Sequence, residues 1–157
     1  MTDLHAPNFR PELRRVVITG MGIVSSIGDS IKEVTDSLKN GASGISFIQE
    51  YADRGFKSQV AGKPKANPAD HVDKRAMRFM GDGAGFCHMA MTQAIADAGL
   101  DEKVITNPRT GLIVGTGGPS TRAIVAAADS TREKNSPRRI GPFAVPKSMS
   151  STASATL

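Results

Sequence analysis

The 157 residues are 39% apolar and 22% charged, which allows one domain with a real core and excludes a disordered polyelectrolyte. A single cysteine, Cys87, excludes an internal disulfide and any cysteine-pair metal site, and no run approaches the ~20 apolar residues of a membrane span. The net charge of +5 points to an acidic partner, but the basic residues are not interleaved with aromatics and match no zinc-finger, RNA-recognition or basic-zipper pattern, so neither nucleic acid nor membrane is expected.

Residues 1–13 read as a disordered leader, with Pro7, Pro11 and scattered charge. They lack the apolar stretch of a secretory signal, and a soluble cytoplasmic protein is expected. The first core element is Val16-Val17-Ile18-Thr19. This β-branched run without polar alternation is the pattern of a strand buried on both faces, as in a parallel sheet. Gly20 and Gly22 interrupt it. A helix follows, capped by Asp29 or Ser30, with Glu33 placed to close a capping box on Ser30. Ile31, Val34 and Leu38 supply its apolar stripe, and Asn40-Gly41 its stop.

Residues 42–71 are punctuated by Gly55, Gly62, Pro64 and Pro68 and read as loop with short strands. The spacing of Met77, Met80, Ala84, Cys87, Met91, Ala94 and Ala98 predicts one long helix from about Asp73 to Ala98, stopped by Gly99. Gly81, Gly83 and Gly85 lie inside it, each costing ~1 kcal/mol of helix propensity against Ala. Close approach of another element is the natural reason for them. Gly111 to Thr116 reads as a second buried strand, Ser120 to Arg132 as a third helix, Lys134 to Arg139 as a basic loop, and the Ser- and Ala-rich stretch from about Pro146 as a last element. Strands alternating with helices imply an α/β layer fold with a mostly parallel sheet.

Gly20-Met21-Gly22 does not complete a dinucleotide fingerprint, because Ser25 stands where a third Gly or Ala is required. Gly115-Thr116-Gly117-Gly118 lacks the Lys-Ser/Thr of a phosphate loop. Cys87 and His88 are adjacent on a helix and do not face each other, so a thiolate pair is not expected. His5 and His71 have no partner at ligand spacing, and no metal site is expected. Lys74, Arg75 and Arg78 neighbour one another on a helix, and Lys134, Arg138 and Arg139 form a second basic cluster. A solvated basic face and a docking site for an acidic or phosphate-bearing partner both fit these clusters.

Several motifs in order resemble the N-terminal part of the β-ketoacyl-acyl-carrier-protein synthases, type I more than type II. They are Val16 to Gly28, Ser43-Gly44-Ile45, Asp73-Lys74-Arg75 with Arg78-Phe79-Met80, Gln93 to Leu100, and Gly111 to Gly118. The resemblance implies a thiolase-like layered α-β-α fold of which residues 14–157 supply the N-terminal half, truncated before the catalytic cysteine. It implies fatty acid synthesis by decarboxylative Claisen condensation, without metal or organic cofactor. The family's nucleophilic cysteine, its two histidines and its lysine have no counterpart here, so this chain is expected to be inactive alone. Gly118 matches a glycine beside the acyl pocket, and Met149 a residue lent to the partner's pocket across the family's homodimer. Lys74, Arg75, Arg78 and Arg138 match positions that dock the acidic acyl carrier protein. Pro119 and Pro146 depart from the type I pattern, and dimerisation of this chain by the family's route is in doubt. A non-catalytic module that binds the carrier or a synthase subunit is the alternative. An enzyme complete within this chain would need Cys87 chemistry.

Overall fold

The computed structural model describes residues 14–157. The predicted leader lies outside the described residues. The chain enters along residues 14–24 without regular structure. Residues 25–28 then form a tight turn closed by an isolated Ser25–Gly28 bridge. Helix α1, Ile31–Lys39, starts at Ser30, whose Oγ accepts from the Glu33 N–H at 3.2 Å. Glu33 reaches back to accept from the Asp29 N–H at 2.8 Å, so the predicted capping box closes one residue early. Asn40 caps the other end, and Gly41 follows with φ of 61°. On the exposed side, the Lys32 ammonium donates to Asp36 at 2.8 Å, which holds it above the usual lysine range.

Strands β1, Ile45–Phe47, and β2, Val60–Gly62, form the sheet, antiparallel, with Ser46 opposite Ala61. Helix α2, Gln49–Asp53, lies between them, with Tyr51 stacked on Phe56 at 5.2 Å. A 3-10 turn at Pro68–Asp70 leads into α3, Lys74–Met77, and α4, Asp82–Ala98. The single helix expected from Asp73 to Ala98 is therefore two. Asp73 Oδ1 accepts from the N–H groups of Arg75 and Ala76 and starts α3, and Gly81 starts α4. The backbone between them drives Met80 inward until it is 1% exposed. Gly99 ends α4 with φ of 64°, the left-handed stop read from the sequence.

Helix α5, Glu102–Ile105, precedes α6, Thr121–Lys134, which is capped by Ser120. A second 3-10 turn, Pro137–Arg139, leads to α7, Ala144–Ser148, and α8, Thr152–Thr156. Helix α4 is the support of the fold. Helix α8 and the Pro68 turn pack on it, and the small core gathers Val34, Val72, Met80, Met89 and Ala153. The glycines of the helical region divide. A Cβ on Gly85 would overlap Pro68, and one on Gly81 would stand 2.8 Å from the Ser120 Cβ, while one on Gly83 would meet nothing within 4 Å. Close approach accounts for two of the three.

The mostly parallel sheet does not form among the described residues. Residues 16–19 and 111–116 carry no strand assignment. Val16 is 92% exposed and Ile113 98%. Their β-branched side chains suit a pleated, half-buried surface, but a strand also needs a neighbour's N–H and C=O groups. Within the described residues no backbone offers them a ladder.

The entering segment is tied to α4 by side chains. Asp97 Oδ2 accepts from the Met21 N–H at 2.9 Å, and Gln93 Oε1 accepts from the Ile23 N–H at 3.1 Å. Gln93 Nε2 also donates to the Asp29 carbonyl at 2.8 Å. Replacing Gln93 by Ala removes both bonds and strands two backbone groups. We expect a loss of about 2 kcal/mol, read as a lower urea midpoint with an unchanged slope.

Candidate functional site

The positions singled out in the sequence fall in two places. Lys74 and Arg75 lie on α3, Arg78 is its C-cap, and all three are exposed. Arg138 is exposed on the Pro137–Arg139 turn. None of the four forms a salt bridge among the described residues, whereas Arg54, Arg122 and Arg132 each have a carboxylate partner. These cations are thus uncommitted charge on the surface.

The two basic stretches lead into one cleft. Two residues after Arg78, Met80 lines a cavity of about 340 Å³, and two residues after Arg138, Ile140 lines the same cavity. Phe79 meets Phe143 edge to face at 5.1 Å, joining the two stretches. Arg122 and Lys147 stand on the rim, Arg122 paired with Asp82 at 3.4 Å. This joining was not visible in the sequence, because no periodicity links α3 to the turn after α6. No local pattern marks Arg122 or Lys147 as part of it either.

Gly118 and Met149 also come together. Both line a second cavity, about 270 Å³, with the Gly115 to Pro119 turn, Ala153 and Cys87. Thr116 Oγ1 donates to the Ser150 carbonyl at 3.5 Å across it. A Cβ at Gly118 would meet nothing within 4 Å, so the chain itself leaves room there for a side chain. Cys87 faces this cavity while His88 lines a different one, which fits adjacent helical residues that do not form a pair. Pro146 stands in the first turn of α7, where no helical N–H is lost. Its carbonyl accepts from the Thr152 hydroxyl. Among the described residues, no helix is long and apolar enough to cross a membrane.

Comparison of folds defines the class. The chain superposes on the ishigamide ketosynthase/chain length factor with a TM-score of 0.78 at 27% identity, covering 89% of this chain and 35% of that one. It superposes on the crystal structure of a β-ketoacyl synthase from Burkholderia phymatum STM815 with a TM-score of 0.76, also at 27% identity. Residues 13–157 match the β-ketoacyl synthase N-terminal domain, and the chain belongs to this family. Among its relatives, it is 46% identical over 145 residues to 3-oxoacyl-[acyl-carrier-protein] synthase 1 of Haemophilus influenzae. It is 47% identical over 146 residues to the protein of the same name from Escherichia coli K12, against 34% over 134 residues to synthase 2 of Staphylococcus aureus COL. The matches to the two synthases 1 cover 92% of this chain and 36% of each relative's length. The type I likeness read from Ile23 to Gly28 agrees with this order.

Proposed function

We propose that residues 14–157 are the N-terminal part of a 3-oxoacyl-[acyl-carrier-protein] synthase, which joins an acyl thioester to malonyl-carrier by decarboxylative Claisen condensation in the cytoplasm. The observation that carries this is the match of residues 13–157 to the β-ketoacyl synthase N-terminal domain, on a chain whose relatives bear that name. In the proposed division of labour, these residues shape one side of the acyl site and supply no nucleophile. Cys87 is set into a helix face, and among the described residues no imidazole lines its cavity to take its proton. The chain alone is expected to release no carbon dioxide from malonyl-carrier and to form no 3-oxoacyl product, with Cys87→Ser no different. Product formation by the isolated chain that disappears in Cys87→Ser would overturn this reading.

Lys74, Arg75, Arg78 and Arg138 are the proposed docking cations for acyl carrier protein. Their uncommitted charge suits an acidic partner and makes the encounter salt-dependent. Arg75→Glu with Arg78→Glu should weaken carrier binding by about tenfold or more, and added salt should weaken the parent complex in the same direction. Isothermal titration checks both. Unchanged binding in the double variant would remove these residues from the interface. The homodimer of the family, with Met149 reaching a partner's pocket, belongs to this same proposal.

A further inference from the structure

A third cavity, about 410 Å³, lies on the other side of α4 from Cys87 and is lined by Lys65, His71, His88, Thr92, Gln93 and Asp29 among others. It is built from three separate parts of the chain. His88, Thr92 and Gln93 come from α4, Lys65 and His71 from the segment around the Pro68 turn, and Asp29 from the approach to α1. The frame is fixed. Gln93 holds the Asp29 carbonyl at 2.8 Å, Pro68 packs against Gly85, and Met89 closes the floor at 6% exposed.

The polar groups divide into used and unused. Thr92 Oγ1 is spent on the His88 carbonyl at 2.9 Å, and both ends of Gln93 are bonded to backbone. The Lys65 ammonium and the imidazoles of His71 and His88 have no hydrogen-bond or salt-bridge partner among the described residues. One carboxylate, Asp29, lines the same cavity, and its Oδ1 is buried without a hydrogen-bond partner among the described residues, an acceptor that only the P–OH of a monoprotonated phosphoryl group would satisfy. No three His, Cys, Asp or Glu side chains among the described residues converge as metal ligands, so the set does not suit a metal ion. Three unspent donors around one cleft suit instead a compact group with several acceptor oxygens, for which a lysine point charge is a common anchor.

We propose that this cavity binds the phosphoryl group of a small molecule, with Lys65, His71 and His88 as its donors. The site is separate from the docking cations and from the Gly118 cavity, and it depends on neither proposed role. Inorganic phosphate and glycerol phosphate are the probes, each titrated into the full chain at constant ionic strength set with sodium chloride. Imidazole and backbone ¹H–¹⁵N shifts are followed. The expected result is a saturable shift confined to Lys65, Ala66, His71 and the His88 turn of α4. Lys65→Gln and His88→Gln should each weaken binding by about tenfold, the loss of one charge-assisted hydrogen bond. Lys63→Gln should leave it unchanged. Lys65 is exposed, so its variant keeps the fold even if His88→Gln disturbs α4. Tighter binding of glycerol phosphate assigns the site to a phosphate monoester, and tighter binding of inorganic phosphate to the free ion. Shifts no larger than chloride produces, equal binding by Lys65→Gln, or preference for citrate over both probes would overturn the proposal.

Discussion

Placing valine at Gly22 is expected to unfold the chain. A Cβ there would overlap the Ala90 carbonyl oxygen and stand 2.8 Å from its carbon and 2.9 Å from the Ala94 nitrogen. All three atoms are α4 backbone, so no rotamer change relieves the overlap. The segment cannot slide aside either, because Asp97 and Gln93 hold the N–H groups on both sides of Gly22. The cost exceeds ordinary overpacking and reaches about 4 kcal/mol or more, a large share of a domain's stability. Thermal melts followed by circular dichroism should show no cooperative transition for Gly22→Val. Gly117→Val is the control, since a Cβ there meets nothing within 4 Å, and it should stay within about 0.5 kcal/mol of the parent. A Gly22→Val protein that melts like the parent would mean that residues 20–24 do not lie on α4.

Met80→Ala should cost the most of any side-chain truncation, about 2–5 kcal/mol. Met80 is the one large side chain that is fully buried among the described residues. It fills the space where α3 ends and α4 begins, and Ile140 and Phe143 line the cavity beside it. Truncation leaves a void against two helices that are anchored by their own caps and cannot collapse together. Met149→Ala, at a half-exposed position, should lose far less. Urea midpoints of the two variants decide the matter. A Met80→Ala loss under about 1 kcal/mol would show that the core lies elsewhere.

What could be read from the sequence was local. Ser30 before α1 and Gly99 after α4 each state a helix end within one turn of chain and stand where expected, while Ser120, expected as the first helical residue, is instead the cap of α6. The apolar stripe from Met77 to Ala98 marks helix but not its interruption. The interruption is chosen by Asp73 and Gly81 together with a buried place for Met80, and only the two caps leave a mark in the sequence. The strand expectations at residues 16–19 and 111–116 failed for a different reason. β-branched composition reports what a residue suits, and pairing depends on where another backbone stands. At the candidate site, the exposure of Lys74, Arg75 and Arg78 was legible from helical spacing. The cleft that joins them to Arg138 rests on the Phe79–Phe143 contact, which no local pattern encodes.

The bare backbone of Val16 to Thr19 and of Gly111 to Thr116 has a consequence in time. A ribosome adds about 5–20 residues each second. Residues 16–19 are therefore made roughly 5–20 seconds before residues 111–116. Once both are made, Val16 and Ile113 present unpaired apolar edges to other copies of the chain. Aggregation during synthesis should therefore rise with the concentration of new chains and fall when a chaperone covers those edges.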